Sequence, residues 1–174
     1  MLSNFVQGLR EGWYWLLLRR VQQVTQVLWE ADIPIHDADR DSIVEAQRKV
    51  NERQDVPTPG HVIAELHFGF WVGLFANNYH SALWVNRLES AFPNYSGTRK
   101  DLHVDLERLR KLRNRIAHHE PIYRRELQID FRLICKVIRY IDTDISELVD
   151  SLSRVKEVIE RKTHRIDGTI GLSF

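Results

Sequence analysis

Cysteine is nearly absent from the sequence, since Cys135 is the only one in 174 residues. A single cysteine excludes an intrachain disulfide framework and a zinc site built from cysteines. Cys135 falls within an apolar helical pattern, which favours an inert buried thiol over a nucleophile. An excess of charge is also lacking, because 25 Lys and Arg face 24 Asp and Glu. The chain as a whole is therefore not a general binder of polyanions.

Long hydrophobic runs are also missing near the start of the chain. The stretch Trp13–Leu18 is apolar for only six residues and is flanked by charge on both sides. This pattern fits neither a secretory signal peptide nor a membrane span. We therefore expect a cytoplasmic protein that does not enter a membrane.

The hydrophobic pattern is helical nearly throughout and has no alternating, strand-like run. It predicts an all-α bundle, with one domain over residues 1–162 and a loose C-terminal tail over 163–174. Thr58 is a good N-cap and Pro59 a good first helical residue. The predicted helices cover about 2–30 (one helix, or two broken near Gly12), 40–54, 58–77, 79–91 and 99–118.

The segment "HVIAELHFGFWVGLFA" places apolar residues on almost every face of the third predicted helix. Such a helix is buried on all sides. We assign its aromatic residues to the core rather than to a platform for stacking bases. Gly69 and Gly73, four residues apart, would let another backbone approach closely.

A heptad-like seam runs through the C-terminal region. It predicts one long helix, or two joined near Asp142–Asp144, that pack along a neighbouring helix or a second subunit. The seam consists of Leu127, Phe131, Ile134, Ile138, Ile141, Ile145, Leu148, Leu152, Val155 and Ile159.

The positive charge of the chain is concentrated between Arg99 and Arg125, where nine Lys and Arg face four Asp and Glu. Within this zone, "KLRNRIAHHEP" ends a predicted helix at a proline. Leucines recur along one face of this predicted helix. The next position on that face, four residues after the last of these leucines, is Arg113. An inward-facing guanidinium is costly unless an anion meets it, so Arg113 either binds an anion, extends to water, or pairs with an acid such as Glu65.

Asn114 and His118 are four residues apart and share one face of this helix. Arg113 and His118 are about 140° apart around an ideal helix, so one helix does not aim both at a single atom. Pro121 places His118 in the last turn, where the helix dipole favours imidazolium and Arg113 opposes it. A histidine under both influences is suited to general acid–base catalysis. Together with Asn114, this arrangement indicates a site that handles nucleotides.

The sequence "RNRIAH" resembles the R-x4-6-H motif of the HEPN superfamily (higher eukaryote and prokaryote nucleotide-binding). In the same order as in the Abi-like (abortive-infection) branch, the chain carries "ELHFGFWVGLF", "YHSALW" and "LRNRIAHHEPIY". The similarity covers about residues 62–123. Members of that branch usually carry more helical sequence before this point, so the chain is either a complete member or one that lacks N-terminal helices.

The resemblance implies a HEPN-type bundle and a metal-independent endoribonuclease of an abortive-infection or toxin–antitoxin system, active as a homodimer. Arg113 would orient the scissile phosphate and stabilise charge on it, His118 would transfer the proton, and Asn114 would position His118 or the phosphate by hydrogen bonding. His119 and Glu120 would have supporting roles. The partners implied are RNA and an antitoxin. No cofactor is expected and no metal, since His118 and His119 diverge by about 100°.

Two other interpretations remain open. In the first, the chain is a non-catalytic HEPN-like module that binds RNA, nucleotide or a protein partner. In the second, the seam from Leu127 to Ile159 is the functional feature, and the protein is a dimerisation scaffold.

Overall fold

The computed structural model describes residues 35–53 and 58–166, and this part of the chain is helical without any strand. The predicted all-α fold is therefore confirmed, while the helix predicted over 2–30 lies outside the described residues. Seven α-helices follow one another here: α1 (Asp37–Arg53), α2 (Pro59–Glu65), α3 (Phe68–Gly73), α4 (Arg99–Ala117), α5 (Leu127–Ile141), α6 (Thr143–Leu152) and α7 (Val155–Ile166).

Helix α2 begins as predicted, with Thr58 as N-cap and Pro59 as first helical residue. The side chains of Thr58 and His61 each cap the other residue's backbone N–H. The prediction of one helix to about Asn77 is wrong, however. Leu66 adopts an extended conformation, and the His67 ring accepts a hydrogen bond of 2.9 Å from the N–H of Phe70, which starts α3. A local side-chain cap thus divides the segment into two helices.

The aromatic segment forms the core as predicted, since Phe68, Trp71 and Phe75 are almost completely buried. The expectation for the two glycines is wrong in its detail. A Cβ on Gly69 would lie 3.1 Å from Nδ1 of His67 and 3.6 Å from Cδ of Arg110, and one on Gly73 would lie 3.7 Å from the Asp39 carboxylate. The nearest atoms at these two points belong to side chains rather than to another backbone.

The segment predicted as a short helix over 79–91 is irregular. A 3₁₀ turn (Asn77–Tyr79), a π-helical turn (His80–Trp84) and a second 3₁₀ turn (Leu88–Ala91) follow one another. Leu83, Leu88 and Ala91 are buried. Burial of these side chains, rather than regular helical hydrogen bonding, accounts for the conformation of this segment.

The C-terminal region is divided at Asp142, as one of the two predicted alternatives required. The Asp142 carboxylate caps α6 by accepting a hydrogen bond of 3.0 Å from the N–H of Ile145. A second break, between Leu152 and Val155, was not predicted. The seam is interrupted in α6, because 55% of Leu148 and 73% of Leu152 are exposed.

Helix α6 packs against α5 through a small polar residue. Ser146 is buried, and its hydroxyl donates a hydrogen bond of 2.9 Å to the backbone oxygen of Cys135. Cys135 itself is half-buried, and burial raises the pKa of its thiol, which reduces its reactivity.

The predicted boundary between domain and tail at residues 162 and 163 falls inside a helix, since α7 continues to Ile166. None of the helices in the described ranges has the length and apolar character needed to cross a membrane.

Candidate functional site at the end of helix α4

Helix α4 packs against α3 and α5, and this double contact widens its buried face. On an ideal helix the buried side chains span an arc of about 120°. Arg113 falls inside this arc but is only half-buried, whereas its neighbour Leu112 is 2% exposed. The burial of Leu112 was not predicted from the sequence, because a single contact face was assumed for this helix. The buried residues of α4 are Leu102, Leu106, Leu109, Leu112 and Ile116.

Asn114 links the two principal residues of the motif. Its side-chain oxygen accepts a hydrogen bond of 3.4 Å from Nη1 of Arg113, which is long for this type of bond. Its backbone oxygen accepts a bond of 2.9 Å from the N–H of His118. Asn114 is half-buried, so it connects the partly buried guanidinium to the exposed end of the helix.

His118 is the C-cap of α4, with φ −91° and ψ 11°. Its side chain is exposed, and it follows the last turn of the helix directly. His118 is therefore accessible to a substrate.

The two residues after His118 end the helix through a Schellman motif. The N–H of His119 donates to the oxygen of Ile116 (3.2 Å), and the N–H of Glu120 donates to the oxygen of Arg115 (2.8 Å). His119 has a positive φ of 55°, as this motif requires at that position. Its role in the described structure is to end the helix. The sequence signal for such an end is usually glycine, and histidine in its place concealed the motif.

Glu120, predicted to have a supporting role, and Glu65, predicted as a supporting residue and a possible partner of Arg113, form ion pairs with other residues. The Glu120 carboxylate lies 3.7 Å from Nε of Arg115, across the end of α4. The Glu65 carboxylate lies 3.2 Å from Arg53 and 3.8 Å from Lys49. Glu65 thus ties α2 to α1.

Arg113 and His118 point in different directions within one chain. They are separated by about 140° and about 7.5 Å of helix rise. One side chain is half-buried and the other is exposed. On an ideal helix Asn114 lies between the two residues, and the directions of Arg113 and His118 do not meet at a common point within a single chain.

Sequence reasoning missed a polar cavity beside α4. It has a volume of about 290 Å³ and is lined by Arg108, Lys111, Arg125, Glu126 and Asp130. Its residues come from α4, from α5 and from the segment between them. Asp130 could have been noticed as an acid that interrupts the apolar start of α5. Over the residues that the structure describes, no three His, Cys, Asp or Glu form a group that could hold a metal ion.

No protein-family model matches the chain, and no curated protein and no solved structure matches it at significant similarity. The resemblance to the HEPN superfamily therefore depends on the motif and on the three quoted segments alone.

Proposed function

We propose that this protein is a metal-independent endoribonuclease of HEPN type that acts as a homodimer in the cytoplasm of a prokaryote, in an abortive-infection or toxin–antitoxin system. One observation carries the proposal. Arg113, Asn114 and His118 occupy the last turns of a single helix that stops directly after the histidine. The side chain of Arg113 donates a hydrogen bond to the side chain of Asn114, and the backbone N–H of His118 donates to the backbone oxygen of Asn114.

The chemistry requires only proton transfer and stabilisation of negative charge. One His118 accepts the proton of a ribose 2′-hydroxyl, whose oxygen then attacks the adjacent phosphorus. Arg113 stabilises the charge that develops on the phosphoryl oxygens. His118 of one of the two subunits gives a proton to the 5′ oxygen as the bond between phosphorus and that oxygen breaks, which releases the downstream fragment of the RNA. The products are a 2′,3′-cyclic phosphate and a 5′-hydroxyl.

A second copy of the chain completes this site. Arg113 and His118 point in different directions around α4. One helix can therefore direct either residue, but not readily both, at a given phosphate. Two helices that face each other supply two arginines and two histidines to the same cleft. Cleavage per molecule should therefore fall on dilution below the dissociation constant of the dimer.

The decisive experiment compares His118→Ala with His80→Ala, which removes an exposed histidine outside the motif. Purified proteins are incubated with structured and unstructured RNA in EDTA, and the ends of the products are analysed. We expect His118→Ala to lower the cleavage rate by about 100-fold or more, because a general acid–base group contributes at least that much. His80→Ala should cleave as the unchanged protein does.

Circular dichroism and sedimentation show whether His118→Ala keeps its fold and its oligomeric state. Cleavage that persists in His118→Ala, or that requires an added divalent metal, contradicts the proposal. An antitoxin belongs to the same proposal and would be a protein that blocks the cleft.

A non-catalytic RNA-binding module is the second candidate, and the divergence of Arg113 from His118 favours it. In that case RNA binding tolerates His118→Ala and is lost in Arg113→Glu. No RNA is then cleaved by any variant.

A further inference from the structure

The cavity beside α4 is built around a buried carboxylate. Asp130 is only 2% exposed, and its two oxygens accept hydrogen bonds of 2.8 and 2.9 Å from Nε and Nη2 of Arg125. This bidentate pair raises the pKa of Arg125. A buried carboxylate requires such a partner, since an unpaired one is strongly destabilising. Arg125, whose side chain is 23% exposed, is thereby held in one orientation at the wall of the cavity.

The same cavity holds more positive charge than Asp130 needs. Nε of Arg108 lies 3.4 Å from Asp130, although Arg125 already occupies both carboxylate oxygens, and 46% of the Arg108 side chain is exposed. Lys111 is also exposed, and the acid that it acts on is Glu107, whose pKa it helps to lower, rather than Asp130. Glu126 is an exposed acid at the wall. Three cations and two carboxylates leave a formal charge of +1.

The structural role of Asp130 explains Arg125 fully, Arg108 only in part, because Arg108 pairs with the carboxylate at 3.4 Å without a hydrogen bond, and Lys111 not at all. One arginine is sufficient to neutralise the carboxylate and to tie the segment after α4 to α5. Arg108 and Lys111 add charge that repels Arg125 across the cavity. An anion bound between them would remove this repulsion, and a phosphate group suits it because arginine and lysine both bind phosphate oxygens.

The cavity lies on the same side of α4 as His118. Around an ideal helix, Lys111 and His118 are about 20° apart and are separated by about 10 Å along the axis. Arg108 lies one turn before Lys111. A strand that reaches His118 can therefore continue along α4 and place a neighbouring phosphate at the cavity.

We propose that this cavity is a phosphate subsite, formed by Arg108, Lys111 and Arg125, that binds the backbone of a single RNA strand next to the linkage presented to His118. The subsite depends on the proposed function for its choice of RNA as ligand. It reads the phosphodiester backbone and not the bases, so its contribution is the same for all sequences.

The test measures binding separately from cleavage. A fluorescent single-stranded 2′-O-methyl RNA lacks the attacking hydroxyl, so the unchanged protein binds it without cutting it. Its affinity is measured by anisotropy over a range of salt concentrations for Lys111→Gln and Arg108→Gln. The matched control is Lys100→Gln, which removes one exposed lysine from the same face of α4, about 16 Å away.

We expect each cavity variant to bind about five-fold more weakly at roughly 0.1 M salt. The slope of log affinity against log salt should fall by about 0.7 per variant, the value for one phosphate contact on a single strand. Lys100→Gln should weaken binding less than two-fold and leave the slope unchanged. Arg108 and Lys111 are exposed, so neither variant should disturb the fold, and circular dichroism verifies this.

Equal losses in Lys111→Gln and Lys100→Gln would overturn the subsite, because they would show only the general attraction of a basic helix. A second arm titrates inorganic phosphate and follows the resonances of the cavity residues by NMR. Saturation by phosphate, with unchanged RNA affinity in the cavity variants, would also overturn it, because the cavity would then take a free anion. If the cavity variants behave as expected but the unmodified RNA is never cleaved, the proposed nuclease activity is contradicted and the proposed phosphate subsite is supported.

Discussion

Arg113 is a charged residue at a position where α4 otherwise buries apolar side chains. It lies within the arc of α4 whose other members are buried and apolar, yet it is charged and half-buried. Removing a guanidinium from water costs free energy that a leucine at the same place would not lose. A residue retained at such a position is typical of a functional site.

The contrast between Arg113 and Leu112 gives a test at this scale. We expect Leu112→Ala to lower the free energy of unfolding by about 2–5 kcal/mol, because it leaves a cavity in the core. Arg113→Leu should raise the free energy of unfolding by about 1 kcal/mol while RNA cleavage is lost. Urea denaturation followed by circular dichroism measures both. A loss of stability in Arg113→Leu comparable to that in Leu112→Ala would show that the arginine is structural.

The end of α4 is decided by a few backbone hydrogen bonds. His119 adopts a left-handed conformation, which any residue other than glycine enters with difficulty. Pro121 follows at the place where a chain can no longer continue a helix. This element therefore sets the position of His118 through its neighbours rather than through contacts with other helices.

Substitution of His119 tests this account of the helix end. His119→Gly should leave the free energy of unfolding unchanged or slightly higher, since glycine accepts a positive φ. His119→Val should lower it by about 1–2 kcal/mol, because a β-branched side chain is strained in this conformation. RNA cleavage should persist in His119→Gly. Loss of cleavage in a folded His119→Gly would instead assign the imidazole to the chemistry. Thermal and urea denaturation provide the stability values.

Much at the element scale was predictable from sequence. Thr58 and Thr98 start α2 and α4 through hydrogen bonds to residues three positions away, so their effect is visible locally. The cap at His67 was missed because histidine is not a typical N-cap residue. The irregular segment from Asn77 to Ala91 was missed because burial against other helices determines its conformation.

At the scale of the whole molecule, Tyr79 connects α1 to the centre of the chain. Its hydroxyl donates a hydrogen bond of 2.6 Å to the Asp39 carboxylate and accepts one of 3.0 Å from the N–H of His36. Burial and the bond to Asp39 raise the pKa of Tyr79 to about 12, from an ordinary value of 10.0. The folded chain therefore retains the phenol proton at a pH where the unfolded chain releases it.

This shift predicts how stability depends on alkaline pH. Below pH 10 the phenol is protonated in both states, so its contribution to stability is complete; between about pH 10 and 12 the unfolded state ionises first, and the free energy of unfolding falls. Tyr79→Phe should lower the free energy of unfolding at neutral pH by about 1.5–3 kcal/mol, and should reduce the further alkaline loss.

The control for Tyr79 is Tyr123→Phe, at a side chain that is 57% exposed. Urea denaturation at about pH 8 and about pH 11 compares the two variants with the unchanged protein. Burial also raises the pKa of Tyr95, so Tyr79→Phe should remove only part of the alkaline effect. An alkaline loss identical in the unchanged protein and in Tyr79→Phe would contradict the assignment.

The helical class, several helix starts and the place of the motif at the end of α4 could be predicted from the sequence. These features depend on side chains within a few residues of one another, so the local spacing of residues is sufficient to predict them. Tertiary structure alone decided that Leu148 and Leu152 are exposed, that Leu112 is buried, and that Arg108 and Arg125 meet at Asp130. These outcomes depend on which helix faces pack together, which the spacing of one segment does not specify.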